Sequence, residues 1–332
     1  MSNNKEKYDN GSDRKTTGNG AIPRFLGNEG KSKEISRVFA TILDRGYDKR
    51  NEVQRTVPYN WMDTVEQLAK ERGIWIYSLS SIATDEIGFG HENTVFRSKD
   101  GNSVIKFNNL KYVTDEISII QFIERINSHN EFSIEAPYTL LGFTKNKEGK
   151  VGLVMQQPYI KMAMEADSYT IENYLKARGF KNEYLSTGGR KGWTNGVFEF
   201  NDAVPRNVLM DIQGNLYFID LQINNPGRLK QYIEDYKVYC ETKRTNEVVQ
   251  IIINRIKDPT ARAFKPKEYD ILKAIVSETD SPDTRRMVYD RLLQKATQEL
   301  GHINQRWVDD VRNELHDLSK DIIRGNSKGM RI

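Results

Sequence analysis

Cysteine is nearly absent from the chain. Cys240 is the single one in 332 residues, so an internal disulfide is excluded. A lone thiol in a Tyr-rich helical stretch reads as packing, and a reducing cytoplasm suits it best. Long apolar runs are missing as well: no stretch of about 18 apolar residues occurs, and the N-terminus has no apolar core of the signal type. A soluble, cytoplasmic protein with no membrane partner is expected. Charge of one sign is lacking too, with 50 Lys and Arg against 46 Asp and Glu. Nucleic-acid binding needs basic residues clustered on one face. The basic groupings here, Arg228 with Lys230 and Arg285 with Arg286, have acids close by, so no nucleic-acid partner is expected. No repeat unit is visible.

What is present is enough chain for a two-lobed domain of roughly 200–250 residues and additional segments. Residues 1–31 are Asn-, Gly-, Ser- and Lys-rich with little to bury, and are expected to be a disordered polar tail. From 32 to 75 the pattern is helical, interrupted from Val53 to Trp61 with a break at Pro58. Residues 76–160 read as strands. Thr94–Arg97 and Ser103–Phe107 flank the turn Lys99–Asn102, and a second pair, Tyr138–Thr144 and Val151–Ile160, surrounds Lys147-Glu148-Gly149. A helix from Thr114 to about His129 is inserted between these pairs. Residues 161–260 begin with a helix ending at Gly179, include two short strands within Val197–Ile223, and turn helical beyond Gly227. In 261–332, Ser281-Pro282 reads as an N-cap followed by proline at the first helical position. Trp307, Val311, Leu315, Leu318 and Ile322 line one helical face there. A strand-rich half, an inserted helix and a helical half make an α+β order.

Three signals carry chemistry. Gly88 and Gly90, in a turn between strands, let backbone amides approach phosphate oxygens without an intervening side chain. Paired glycines in a hairpin are as a rule only a turn, and the strand that follows argues against a dinucleotide fingerprint, which needs a helix there. Lys106 lies inside the apolar strand Val104-Ile105-Lys106-Phe107, one hairpin after that loop. A buried lysine needs a carboxylate to hold it charged; Glu116, ten residues on, is the expected partner, with Glu124 as the fallback. The strongest signal is Asp202, Asn207 and Asp220. Asn207 begins the strand Val208-Leu209-Met210, a turn reverses it, and Asp220 returns to the same end of the hairpin. Two oxygen ligands thereby converge where magnesium could be held, with Asp202 beside them to orient a hydroxyl.

Glycine loop, strand lysine, helix glutamate, Asp-x4-Asn and strand-end Asp, in that order, resemble the protein-kinase superfamily. In detail the chain looks most like the Ser/Thr/Tyr kinase domain found in polyvalent proteins of bacterial phages and conjugative elements. Lys70–Trp75, Gly90–Phe96, Met155–Ile160 and Asn207–Asp220 carry that likeness. The resemblance implies a two-lobed kinase-like fold, with a strand-rich N-lobe at 76–160, a helical C-lobe at 161–260, and helical extensions at 32–75 and 261–332. It implies ATP and Mg2+ as cofactors and a protein substrate, the chain itself included. By resemblance Gly88, Gly90, Asn93 and Val95 cover the nucleotide, and Asn93 in the third glycine position accepts the turn because Asn tolerates positive φ. Lys106 would pair with the phosphates and Glu116, Asp202 would be the catalytic base, and Asn207 and Asp220 would bind magnesium. Met155, Gln156 and Gln157 would form the hinge that reads adenine, with Gln157 or a shifted neighbour as the donor because Pro158 has no N–H.

Some features depart from the protein-kinase pattern: Phe200-Asn201 replaces His-Arg before the catalytic Asp, Val204 stands in a lysine position, and Leu221-Gln222 replaces Phe-Gly. They keep two alternatives open, a nucleotide-binding pseudokinase or interaction module, and a small-molecule kinase. The C-terminal helices are left as a surface for a partner or for self-association, and Thr16 and Thr17 as sites of autophosphorylation.

Overall fold

Strand formers dominate from Ala83 to Pro158, and the sheet they build organises the first half of the chain. The computed structural model describes residues 30–51 and 61–325, except 188, 259, 262 and 280. The expectations for most of the polar tail, for the break at Pro58, for Thr16 and Thr17 and for the Ile322 side chain lie outside the described residues. The described residues divide into two compact units, one reaching Lys237 and one starting at Val238.

The first unit opens with helices α1 (Gly30–Asn51) and α2 (Met62–Glu71). Strands β1 (Ala83–Phe89), β2 (Asn93–Ser98) and β3 (Ser103–Asn108) follow, then helix α3 (Glu116–Phe132), β4 (Thr139–Lys145) and β5 (Val151–Pro158). The five strands form one antiparallel sheet in the order β1-β2-β3-β5-β4. A β-bulge in β4 places Gly142 at φ 144°, where any Cβ would meet Ile74 O at 2.0 Å, so only glycine fits. Asp115 caps α3: its carboxylate accepts from Ser118 N at 2.7 Å, and Ser118 Oγ accepts from Asp115 N at 2.9 Å. Ile119, Ile120, Phe122, Ile123 and Ile126 bury the apolar side of α3, whereas Ile117 is exposed. Phe39 of α1 meets Phe122 and Phe143 edge-on.

Next come β6 (Met164–Glu165), α4 (Ser168–Ala177), β7 (Lys181–Tyr184), β8 (Lys191–Thr194) and β9 (Glu199–Phe200). The strands β7, β8 and β9 form a small antiparallel sheet that pattern reading missed. All of β7 is exposed and polar, so it shows no alternation of burial. Strands β10 (Val208–Met210) and β11 (Leu216–Phe218) pair as an antiparallel hairpin, with β6 against β10. Beneath them Phe132 packs against Phe180, Phe198, Phe200 and Phe218. Helix α5 (Pro226–Lys257) starts in this unit, where Arg228 meets the buried Glu124 of α3 at 3.3 Å.

The second unit holds the rest of α5 with α6 (Pro266–Ile275), α7 (Pro282–Leu300) and α8 (Gln305–Gly325). Ser281 Oγ accepts from Thr284 N and Pro282 opens α7, as the sequence indicated. The buried face of α8 is Val308, Val311, Leu315 and Leu318; Trp307, expected on that face, is one position off and 37% exposed. No described helix is long and apolar enough to cross a membrane.

Candidate active site

Register does much of the assembly. Gly88 of β1 stands opposite Val95 of β2, Val95 opposite Lys106 of β3, and Lys106 opposite Met155 of β5. Directly opposed residues of antiparallel strands share a face, so four residues singled out from the sequence form one row across the sheet. Neither loop glycine has a positive φ, and a Cβ on Gly88 or Gly90 would make only ordinary contacts at 3.9 and 3.8 Å. The fold itself does not demand glycine at either position.

The β10–β11 hairpin brings the acids to this row. Ile219 N donates to Asn207 O at 3.0 Å, closing the hairpin so that Asp220 returns beside Asn207. Lys106 is buried and donates to Ile219 O at 2.6 Å, with Asp220 Oδ1 at 3.5 Å. Burial pushes the lysine's pKa down, and the Asp220 charge opposes that. Asn207 donates its side-chain amide to Asp202 O at 2.8 Å, which leaves its side-chain oxygen as the group available to a cation. Asp202 accepts from Gln222 N at 3.0 Å. Burial raises its carboxyl from 3.8 to about 6, and the nearby Asp220 charge adds to the rise.

Asp202, Asn207 and Asp220 border one cavity of about 600 Å³ that Gly90, Asn93 and Met155 also line, all foreseen, with others that were not; Lys106 is buried and does not itself line it. Tyr138 is the first of the unforeseen residues. It donates to Ile219 O at 3.2 Å, stands 3.5 Å from Asp220 Oδ1 and from Lys106 Nζ, and stacks on His129 at 4.0 Å. Burial and the Asp220 charge raise its pKa well above 10.0. Gln222 donates to Glu92 of the glycine loop at 3.0 Å, linking that loop to the backbone N–H that holds Asp202. Arg125 of α3 completes this side of the wall.

Four expectations are corrected by the geometry. Lys106 does not pair with Glu116; its carboxylate partner is Asp220. Glu116 opens α3 beside Gly46 of α1, so closely that a Cβ on Gly46 would lie 2.4 Å from Glu116 Oε1. The fallback, Glu124, faces Ser128, Asn225 N and Arg228 instead. Asn93 needs no positive φ, since it lies in β2; its amide donates to Asp220 Oδ1 at 3.3 Å while its oxygen accepts from Asn108 at 2.9 Å. In the hinge, β5 continues to Pro158 in register with β3, so Gln156 and Gln157 are still within the sheet. Gln157 is buried and donates to Ala136 O at 2.7 Å, and Gln156 donates to Ser103 Oγ at 2.5 Å; neither lines the cavity.

Among the described residues no group of three or more His, Cys, Asp and Glu is arranged to hold a metal. The donor set here is different: one amide oxygen from Asn207 and the Asp220 carboxylate, hard oxygens that suit a cation completing its shell with water and phosphate.

A twisted antiparallel sheet bearing a row lysine, joined to a part whose hairpin presents Asp202, Asn207 and Asp220, defines a protein-kinase-like α+β fold. Residues 61–225 match the model of the serine/threonine/tyrosine kinase found in polyvalent proteins, and that segment belongs to this family. No curated protein matches the chain.

Proposed function

We propose that the chain transfers the terminal phosphoryl group of ATP, with Mg2+, to a Ser, Thr or Tyr hydroxyl of a protein, its own chain included. The observation that carries this reading is one cavity lined by Asp202, Asn207 and Asp220 beside the glycine loop at Gly90, with Lys106 buried against Ile219 O and Asp220. Asn207 and Asp220 would hold the metal, which when bound neutralises phosphate charge. Lys106, released from Ile219 O, would hold the inner phosphates. The acceptor oxygen forms a bond to the terminal phosphorus as the bond to the bridging oxygen breaks. ADP leaves with that electron pair, and the hydroxyl proton passes to Asp202. A base with its pKa near 6 is ionised at neutral pH and still able to take a proton. A cytoplasmic setting suits both the nucleotide and the lone thiol of Cys240.

One observation favours a second reading, nucleotide binding without transfer: Lys106 directs its ammonium to Asp220 and Ile219 O rather than to a helix glutamate. The test is incubation with γ-labelled ATP and Mg2+ alongside a Lys106→Met variant. Label on protein with wild type, and none with the variant, supports transfer. Tight Mg-dependent ATP binding with no label on any protein supports the second reading, and label that appears only on a small metabolite moves the acceptor class.

A further inference from the structure

The strongest feature that the proposed reaction does not yet use is Arg125. It stands in the cavity wall with Phe122 and Ile126 on α3, near Glu92 and Asp202. Its Nε is buried and has no hydrogen-bond partner among the described residues, and no carboxylate there forms an ion pair with its guanidinium. The contrast on the same helix is informative. Glu124, one position earlier, faces away to Ser128 and Arg228, so the helix sends its acid to the fold and its base to the cavity. A guanidinium stays charged at any physiological pH and offers a planar fork of donors. The side chain lines the cavity with no hydrogen bond or ion pair to a protein group among the described residues, and the anion that best matches its fork is a carboxylate or a phosphate.

Position decides between them. Of the carboxylates in the wall, Asp202 accepts from Gln222 N at 3.0 Å, and Glu92 accepts from Gln222 Nε2 at 3.0 Å. Lys106 is engaged by Ile219 O at 2.6 Å and stands 3.5 Å from Asp220 Oδ1. Arg125 shares one cavity wall with the glycine loop at Gly90–Glu92 and with Asp202. A phosphate chain lying along that loop with the acceptor hydroxyl at Asp202 has its terminal phosphate there.

We propose that Arg125 grips the terminal phosphate of the nucleotide, the group that is transferred. The proposal rests on the kinase reading above. It makes Arg125 a reader of triphosphate against diphosphate, which neither Lys106 nor the loop backbone is placed to be.

The experiment is isothermal titration of the full chain in Mg2+ with ADP and with the β,γ-imido analogue of ATP, for wild type, Arg125→Met and Arg125→Lys. Arg125→Met is expected to weaken the triphosphate analogue about 10- to 100-fold, as loss of a charge-assisted hydrogen-bond pair should, and to leave ADP within about twofold. Arg125→Lys, which keeps the charge and loses the fork, should fall between the two; should Arg125→Met fail to fold, this variant carries the test alone. Equal weakening of both nucleotides, or of neither, overturns the proposal. Wild type that binds neither nucleotide sinks the kinase reading itself and this proposal with it, a result easily told from selective failure at Arg125.

Discussion

The helical unit beginning at Val238 and the cavity wall of the first unit handle buried polar groups in opposite ways. In the helical unit Tyr289, Arg285 and Glu314 end on protein partners, while Arg286 Nε of α7 is left unmatched. Tyr289 is fully buried and donates to Leu272 O at 2.8 Å, and Arg285 donates to Thr279 O at 3.0 Å. Glu314 accepts from Phe264 N at 2.7 Å, Tyr269 OH at 2.8 Å and Arg255 Nε at 3.1 Å. In the cavity wall Asp202 has a raised pKa and Arg125 an unmatched Nε, and the buried Lys106 has the Asp220 carboxylate of that wall no nearer than 3.5 Å. Saturated polar groups fix a fold; incompletely matched ones keep capacity for a ligand and the chemistry done on it. The difference separates structure from function within one chain.

The comparison can be broken first at its functional end. Asp220→Ala should cut transfer on the order of 10²- to 10³-fold and abolish the Mg2+ dependence of nucleotide binding, by removing a charge that faces the transferred group. Titration with and without Mg2+ reads this; unchanged Mg2+ dependence would place the cation elsewhere. At the structural end, Leu272→Ala in the helical core should cost about 2–5 kcal/mol of stability, the usual range for a buried Leu truncated to Ala. The kcat measured well below the unfolding transition should not change, and a loss of kcat there would show that the helical unit takes part in the chemistry.

A smaller effect concerns pH. Burial lowers His129 from 6.5 to about 4. Its unfolded form therefore takes up a proton at a pH where the native form does not, and stability should fall as pH drops from about 6.5 toward 4. His129→Gln should flatten denaturation midpoints across that window. The smallest effect has the opposite sign. Asp202 has a native pKa above its ordinary 3.8, so the native state binds its proton more tightly, and the penalty for ionising it is absent below about 4 and complete above about 6. Asp202→Asn removes the penalty and should raise the melting temperature slightly at pH 7 and not at pH 4.

Local patterns were readable in the sequence and rotational placement was not. The hairpin that returns Asp220 to Asn207 follows from two short strands and a turn, features written within fourteen residues of sequence from Asn207 to Asp220. The row through Gly88, Val95, Lys106 and Met155 follows once the strands pair. Glu116 could not be placed the same way, because which part of α3 faces Lys106 depends on how α1 packs, and Gly46 of α1 claims the start of the helix. Gln157 was misplaced because where β5 ends is set by its pairing with Ser103 and Val104, not by its own residues. Tyr138 and Arg125 carry no motif; each becomes part of the site only through side chains distant in sequence, Asp220 and Asp202.

The most direct test of the account is transfer from ATP by Asp202→Asn, with nucleotide affinity measured on the same preparation. Binding should stay near wild type while transfer falls on the order of 10²- to 10⁴-fold, the usual worth of a positioned general base. Transfer at the wild-type rate, with binding intact, would contradict the role given to Asp202 and with it the reading of the cavity as a phosphotransferase site built around that residue.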